Sequence, residues 1–149
     1  MSSVASRSTN HARNAAAWLT MAWVTALIAT LSAVFIGEVL GRTPCVLCWY
    51  QRIFMFPLVV VLGVACYRGD LGAWRYALPL AGAGAGFAAY HTLLYWRVIE
   101  PEIVACSAEA SCSGAGMAIF GSIPLPFLSL IAFTFVVLSL LLVRFHSKK

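Results

Sequence analysis

Long apolar runs separated by short polar segments dominate the chain. The first run has no charged residue between Arg13 and Glu38, and its part from Ala15 to Ile36 can cross a hydrocarbon layer of roughly 30 Å at about 1.5 Å per residue. A basic segment before an apolar run is also typical of a cleaved signal peptide, but this run is too long for one and leads directly into a cysteine motif. The pattern therefore predicts an uncleaved spanning helix over about residues 15–36.

The second apolar run is shorter than a membrane span. Its uncharged part, Ile53 to Tyr67, would extend only about 22 Å as a helix, so a spanning helix has to begin near Cys48 and cover about residues 48–67. This places Arg52 inside the membrane or at its edge, where an ionisable group is costly and is therefore a candidate functional residue. The alternative is that its long side chain reaches out to the lipid head groups.

Two further apolar runs predict helices over about residues 76–96 and 124–143. In the first of them, Gly82 and Gly86 have the spacing of small residues that lets helices approach closely in lipid. The second begins near Pro124 and Pro126, which suit the first turn of a helix. No repeat or interdomain linker interrupts the chain. The sequence therefore predicts a single domain over residues 1–149, an all-α integral membrane four-helix bundle.

Composition supports this fold class and excludes others. Hydrophobic residues make up 62% of the 149 residues and charged residues 10%, against about 45–50% and about 25% in soluble domains. The net charge of +5 comes from basic residues that stand singly between apolar runs and form no basic stripe, which argues against a nucleic-acid partner. The lipid bilayer is the expected surrounding.

The distribution of basic residues predicts the orientation of the bundle. Four spans leave both termini on one side, and the two tails together with the turn between the second and third helices hold seven of the ten basic residues. Because basic residues favour the cytoplasmic side, both termini are predicted to be cytoplasmic. Two loops then face outward, one with Cys45 and Cys48 and the other with Cys106 and Cys112.

The Cys45-Val46-Leu47-Cys48 segment is the strongest candidate for chemistry. A Cys-X-X-Cys pair at a helix N-terminus suits redox work because the helix dipole and free backbone N–H groups stabilise a thiolate. Zinc sites use the same spacing, so the context has to decide. Arg52 follows Cys48 by one helical turn, where its charge favours a Cys48 thiolate and can stabilise the oxyanion of a quinone that takes up electrons. A zinc site gains nothing from that arginine, and no metal ion is predicted.

The remaining histidine and cysteine candidates have two interpretations each. His91 lies roughly 9 Å from the outer end of the third helix, at a depth similar to that of Arg52, and either exchanges a proton with a quinone carbonyl or bonds to a neighbouring helix. Cys106 and Cys112 form either an exchange-labile disulfide or a stabilising bridge. Two cysteine pairs on one face favour a relay. Cys66, at the cytoplasmic end of the second helix, is interpreted as an apolar core residue.

Three segments resemble the DsbB family of disulfide-bond-formation proteins, in particular its short BdbC-like branch. The first is Pro44-Cys45-Val46-Leu47-Cys48-Trp49-Tyr50-Gln51-Arg52, which closely resembles the family signature. The others are Tyr90-His91-Thr92-Leu93-Leu94 in the third helix and Ile123-Pro124-Leu125-Pro126-Phe127-Leu128-Ser129-Leu130 at the start of the fourth. Together with the four spans, the resemblance covers roughly residues 15–143.

The resemblance implies an enzyme of the bacterial plasma membrane that reoxidises an extracytoplasmic thioredoxin-fold oxidase, similar to DsbA or BdbD, and reduces menaquinone or ubiquinone. It implies that Cys106 accepts attack from the partner's thiol and that the Cys106/Cys112 pair passes the electrons to Cys45 and Cys48. Cys48 would then react with the quinone beside Arg52, with His91 at the quinone site. The loop cysteines are much closer in sequence than in the best-known DsbB proteins, so their order of reaction stays open.

Two other functions remain as alternatives. Vitamin K epoxide reductase proteins have a similar bundle and a Cys-X-X-Cys pair but serve to reduce a quinone; the Trp49-Tyr50-Gln51-Arg52 context favours the DsbB family. The other alternative is a structural or metal-binding membrane protein in which the four external cysteines coordinate zinc tetrahedrally.

Overall fold

The computed structural model describes residues 2–41, 44–96, 98, 118–119 and 123–147. Its long helices are α1 (Ser2–Val34), α2 (Val46–Arg68), α3 (Trp74–Tyr95) and α4 (Leu125–Ser147). A π-helical segment, Phe35–Val39, extends α1, and a 3₁₀ turn, Leu71–Ala73, precedes α3. Two short strands, β1 (Ala118–Ile119) and β2 (Ile123–Pro124), pair antiparallel before α4.

The four helices form a ring in chain order. Each helix packs against the next one along the chain, and α4 packs back against α1. The all-α four-helix bundle predicted from the sequence is thereby confirmed. The ends of α2, α3 and α4 fall within a few residues of the predicted spans, whereas α1 begins at Ser2 and not near residue 15.

Three of these helices are long and apolar enough to cross a membrane. The qualifying stretches are Asn10–Val39, Val46–Arg68 and Leu125–Ser147. α3 has 22 residues, about 33 Å of helix, and it packs between α2 and α4. That α3 also spans the membrane, and that both termini are cytoplasmic, stay predictions from the sequence.

The outer surface of the bundle is apolar. Large hydrophobic side chains such as Ile28, Val60, Ile131 and Leu138 are more than half exposed. An apolar surface of this kind matches a lipid environment, whereas in water it would promote association. Together with the three apolar helices, this surface identifies a membrane protein.

Helical periodicity decides which residues face inward. On α2 the buried positions recur every three or four residues, as at Met55, Leu58 and Leu62. The buried positions of α3 are mostly small: Ala77, Ala81, Gly84, Ala88, His91, Thr92 and Leu94. Since lipid chains are as apolar as the core, close van der Waals packing stabilises the bundle more than exclusion of water does.

Gly84 is the glycine that allows α3 and α4 to pack closely. A Cβ at Gly84 would overlap the ring of Phe133 on α4, whereas a Cβ at Gly82 or Gly86 would meet no atom within 4 Å. The prediction that Gly82 and Gly86 form the packing contact is therefore wrong within this chain. These two glycines lie two residues from Gly84, about 200° around the helix, and so face outward.

Candidate functional site

Cys45 is the N-cap residue of α2. Its backbone is extended, with φ −68° and ψ 167°, and its Sγ accepts a hydrogen bond of 3.2 Å from the backbone N–H of Cys48. N-cap side chains accept from this position because the first N–H groups of a helix have no partner within it. The sulfur of Cys45 is thereby held at the positive end of the helix dipole.

The two sulfurs of the Cys-X-X-Cys pair lie side by side. The Sγ atoms of Cys45 and Cys48 are 2.7 Å apart, and both cysteines are free thiols. Cys48 stands one helical turn after the N-cap, so its side chain returns to the same face of the helix end. The pair can therefore close a disulfide through side-chain movement alone.

His91 of α3 faces Cys45 from the neighbouring helix. Its Nε2 lies 3.8 Å from the Sγ of Cys45, and its Nδ1 lies 3.0 Å from the Nε2 of Gln51 on α2. With the amide in this orientation, Gln51 donates to Nδ1, so the proton of the neutral imidazole is on Nε2 and points at the sulfur. A polar chain thus runs from Gln51 through His91 and Cys45 to Cys48.

Most of this polar chain is buried within the bundle. Cys45 and His91 are each 1% exposed and Gln51 is 8% exposed, whereas Cys48 is half-buried. Cys45 packs with Leu47 and Leu94 in a small apolar cluster that is separate from the main core. Cys48 is therefore the more accessible of the two cysteines.

Local hydrogen bonds lower the pKa of the Cys45 thiol to about 5 in the dithiol form. The largest contribution is the hydrogen bond from the Cys48 thiol; burial opposes it, while His91 and the backbone N–H of Cys48 act in the same direction. The sequence alone predicted that the helix end stabilises a thiolate of the pair and that the charge of Arg52 favours a thiolate on Cys48. The N-cap geometry directs the N–H of Cys48 to Cys45, so the hydrogen bonds of the reduced site converge on Cys45.

Arg52 reaches from α2 to the end of α1. Its Nη2 donates a hydrogen bond of 2.7 Å to the carbonyl of Ala33, and its guanidinium carbon lies 5.3 Å from the centre of the Trp49 ring. Gly37 in the π-helical segment leaves room for it, since a Cβ there would lie 3.0 Å from Nη2. The half-buried cation is thus held within the bundle, one turn along α2 from Cys48.

Of the other predicted cysteines, only Cys66 belongs to the part of the chain that the structure describes. Cys106 and Cys112 lie outside the described residues, so their pairing and their exchange with Cys45 stay predictions. Cys66 lies on α2 18 residues after Cys48, about 27 Å along the helix, and is partly buried against the main core. This position agrees with its interpretation as a core residue.

Gln51 is the member of the site that the sequence analysis did not single out. It is a buried amide in an otherwise apolar helix, and polar groups inside a membrane helix are costly unless they are paired. The sequence alone therefore marks Gln51 as a polar residue that needs a partner. It does not show that the partner is His91, because only the packing of α2 against α3 brings the two side chains together.

Comparison with known proteins places this arrangement in one family. The family model described as "Disulfide bond formation protein DsbB" matches residues 14–143. A "Probable disulfide formation protein" of Metapseudomonas resinovorans is 57% identical over 127 residues, which cover 85% of this chain and 88% of that protein. "Disulfide bond formation protein C" of Bacillus subtilis is 39% identical over 132 residues, which cover 89% and 96%. No solved structure matches the chain significantly.

The family match covers α2 and α3 entirely, most of α1 and α4, and the whole polar chain from Gln51 to Cys48. Relatives at this level of identity share their fold over nearly their full length, and the resemblance stated from the sequence motifs is confirmed. The chain belongs to the DsbB family of disulfide bond formation proteins.

Proposed function

We propose that this protein is a membrane thiol–disulfide oxidoreductase of the bacterial plasma membrane. It reoxidises an extracytoplasmic thioredoxin-fold dithiol oxidase and passes the electrons to a membrane quinone. The observation that carries this proposal is the Cys45–Cys48 pair, with sulfurs 2.7 Å apart at the start of a helix that can span the membrane. Exchange-ready thiols at the end of such a helix can connect a protein dithiol in water with an acceptor in lipid.

Two thiol–disulfide exchanges move one electron pair through the protein. In the first, the partner's dithiol is oxidised to a disulfide and the Cys106–Cys112 disulfide is reduced. In the second, Cys106 and Cys112 are oxidised again and the Cys45–Cys48 disulfide is reduced. Each exchange breaks one S–S bond, forms another, and leaves two thiol protons on the reduced pair.

The residues around Cys48 fit a quinone head group. A quinone is a planar ring with two carbonyl oxygens, and when bound it supplies an acceptor for two electrons and two protons. Trp49 and Tyr50 are exposed aromatic rings at the outer end of α2 and can stack on such a ring. Arg52 has five N–H donors, of which the hydrogen bond to Ala33 occupies one.

Arg52 and Cys48 have distinct tasks in this proposal. Cys48, the more accessible cysteine, gives up the electron pair. Arg52 stands one turn deeper and supplies a fixed positive charge for negative charge that develops beside Cys48. Because the carbonyl of Ala33 already holds the guanidinium in place, little reorganisation is needed when that charge appears.

His91 acts at the sulfur of Cys45. Its Nε2 faces that sulfur at 3.8 Å, so it can donate to the Cys45 thiolate in the reduced pair and take up or release the proton as the pair changes redox state. The resemblance to the family implies a quinone-site role for His91, and the position beside Cys45 is compatible with it. Gln51 fixes the orientation of the imidazole.

Capture of the partner tests the proposal. The protein is expressed with Cys112→Ser or, as the matched variant, with Cys106→Ser, and disulfide-linked proteins are preserved by acid quenching. Mass spectrometry then identifies what is attached. We expect a thioredoxin-fold protein on Cys106 in the Cys112→Ser variant. The Cys106 thiolate attacks the disulfide of the oxidised partner and frees one partner thiol, and without Cys112 this protein has no second thiol to resolve the mixed disulfide.

The converse variant gives the order of reaction. Capture only with Cys106→Ser would assign the first exchange to Cys112 and leave the function unchanged. If neither variant carries a thioredoxin-fold protein, the relay from a protein dithiol is wrong.

A further inference from the structure

The reduced site brings together three side-chain atoms that bind soft metal ions. The two sulfurs of Cys45 and Cys48 and a ring nitrogen of His91 all lie within 4.8 Å of one another. Two cysteines from the start of α2 and one histidine from α3 make a donor set of the Cys₂His type. That set occurs in zinc sites that keep a fourth position open for water.

The distances require only a small adjustment. With Zn–S bonds of about 2.3 Å and Zn–N bonds of about 2.0–2.1 Å, tetrahedral geometry separates two sulfurs by about 3.7 Å and a sulfur from a nitrogen by about 3.5 Å. The Cys45–His91 distance of 3.8 Å is close to that value. The 2.7 Å between the sulfurs has to widen by about 1 Å. Half-buried Cys48 can make that movement by turning outward.

Gln51 supplies the support that a metal-bound histidine needs. Histidine ligands almost always donate their second ring N–H to a fixed acceptor. The amide of Gln51 lies 3.0 Å from Nδ1 of His91, and turning it over presents its oxygen to that N–H. The backbone N–H of Cys48 already donates to the sulfur of Cys45, which keeps that ligand in place.

Charge also favours a divalent cation in this position. A divalent cation replaces the two thiol protons and leaves the ligands and ion together neutral, which suits the apolar surroundings. Arg52 is not a competitor for the same atoms, since its Nη2 bonds to the carbonyl of Ala33.

We propose that the reduced form of this protein binds one thiophilic divalent cation such as Zn²⁺ through Cys45, Cys48 and His91. The oxidised form does not bind it, because both sulfurs are then joined in a disulfide and offer no thiolate. A bound cation occupies the sulfur that has to give up electrons, so it inhibits the enzyme. Only this inhibitory consequence rests on the proposed function. The sequence predicted no metal ion; under this proposal that prediction applies to the oxidised form only.

Metal binding can be measured without partner or quinone. The triple variant Cys66→Ser/Cys106→Ser/Cys112→Ser retains only the two site cysteines, and it is purified in detergent, reduced and titrated with Zn²⁺ against a chelating dye. Cd²⁺ is titrated in parallel, because thiolate ligation gives it a charge-transfer absorption. We expect one ion per chain in the reduced form and none after oxidation.

Three histidine and glutamine variants test the ligand set. His91→Ala is expected to weaken binding at least tenfold, and Gln51→Leu to weaken it by about 10–100-fold through loss of support for the imidazole. His146→Ala, at the far end of α4, is the matched control and should leave the affinity unchanged. Thermal unfolding in detergent accompanies each titration to show that the variants are folded.

Several results would overturn the proposal. They are binding that persists after oxidation, binding unaffected by both His91→Ala and Gln51→Leu, and binding seen with all five cysteines but lost in the triple variant. The last result would assign the metal to the loop cysteines. A failure of these titrations leaves the partner-capture experiment untouched, and a failure of that experiment leaves the titrations valid, so the two proposals are separable.

Discussion

At the scale of single residues, the position of Cys45 as an N-cap organises the site. The N–H of Cys48 has no acceptor within the first turn of the helix, and it donates to the sulfur of Cys45. That hydrogen bond, the neighbouring thiol and His91 together favour negative charge on the buried sulfur. Cys48, which is half-buried, is the cysteine that a reactant can approach. The two cysteines of one motif thus differ in environment and are proposed to differ in task.

Gln51→Leu should destabilise the bundle by about 1–3 kcal/mol, because it leaves Nδ1 of buried His91 without a partner. The measurement is the free energy of unfolding in mixed detergent micelles. Gln51→Glu keeps a hydrogen-bonding group at the same place and should lose less. Equal stability of the Leu variant and the wild type would mean that the hydrogen bond to His91 is not formed.

At the scale of elements, the end of α1 and the start of α2 form one unit. The π-helical segment Phe35–Val39 carries Gly37 past the guanidinium of Arg52, and Ala33 of α1 accepts its hydrogen bond. π-Helical turns are rare and recur at functional sites, and here the turn accompanies the insertion of a charged side chain from the next helix. A larger side chain at position 37 would therefore displace the guanidinium of Arg52 while leaving Arg52 itself unchanged.

Gly37→Val is expected to displace the guanidinium of Arg52 and to lower kcat/KM for the quinone by roughly tenfold or more, since loss of one donor to a developing oxyanion costs on the order of 10²–10³ in rate. Steady-state quinone reduction at a saturating concentration of the reduced partner measures it. Gly82→Val, on an open face of α3, is the control and should keep the wild-type value. The same loss in both variants would point to a general effect on folding.

The contact between α3 and α4 depends on Gly84. Gly84→Ala should cost about 1–3 kcal/mol of unfolding free energy, because the added methyl group overlaps the ring of Phe133. Gly86→Ala adds the same atom where there is space and should be neutral. The double variant Gly84→Ala/Phe133→Leu should cost less than the sum of its single substitutions. Strict additivity would show that the two residues do not touch.

Hydropathy sufficed to predict the four helices, because a spanning segment needs a long apolar run and this chain has four of them. It could not give the register between helices. The inward-facing glycine was therefore misassigned to positions 82 and 86, and the meeting of Gln51, His91 and Cys45 was not foreseen. The π-helical segment, which lies against Arg52 of α2, was not predicted either.

The Cys45–Cys48 motif predicted more of the site's geometry than the pattern of apolar helices did. A Cys-X-X-Cys at a helix start implies adjacent sulfurs, and the structure has them 2.7 Å apart. Arg52, one turn later, was predicted to lie inside the membrane or at its edge, which stays a prediction; its attachment to α1 became visible only in the fold. Cys106 and Cys112 remain known from the sequence alone.

At the scale of the whole molecule, the fold separates two environments. Three helices that can span a membrane and an apolar exterior set the protein in lipid, while the cysteine pair stands at one end of the bundle. The distribution of basic residues predicts that this end faces away from the cytoplasm. In the proposed function, the protein accepts electrons at an aqueous face and passes them to a quinone in the bilayer.

The most direct test of electron transfer from the partner to a quinone is quinone reduction by the purified protein. The protein is mixed with a reduced thioredoxin-fold partner and a soluble quinone analogue, and quinone reduction and partner oxidation are followed together. We expect one quinone reduced for each partner disulfide formed, a fall to the background rate with Cys48→Ser, and the full rate with Cys66→Ser. An unchanged rate with Cys48→Ser, or partner oxidation without quinone reduction, would contradict the proposed transfer.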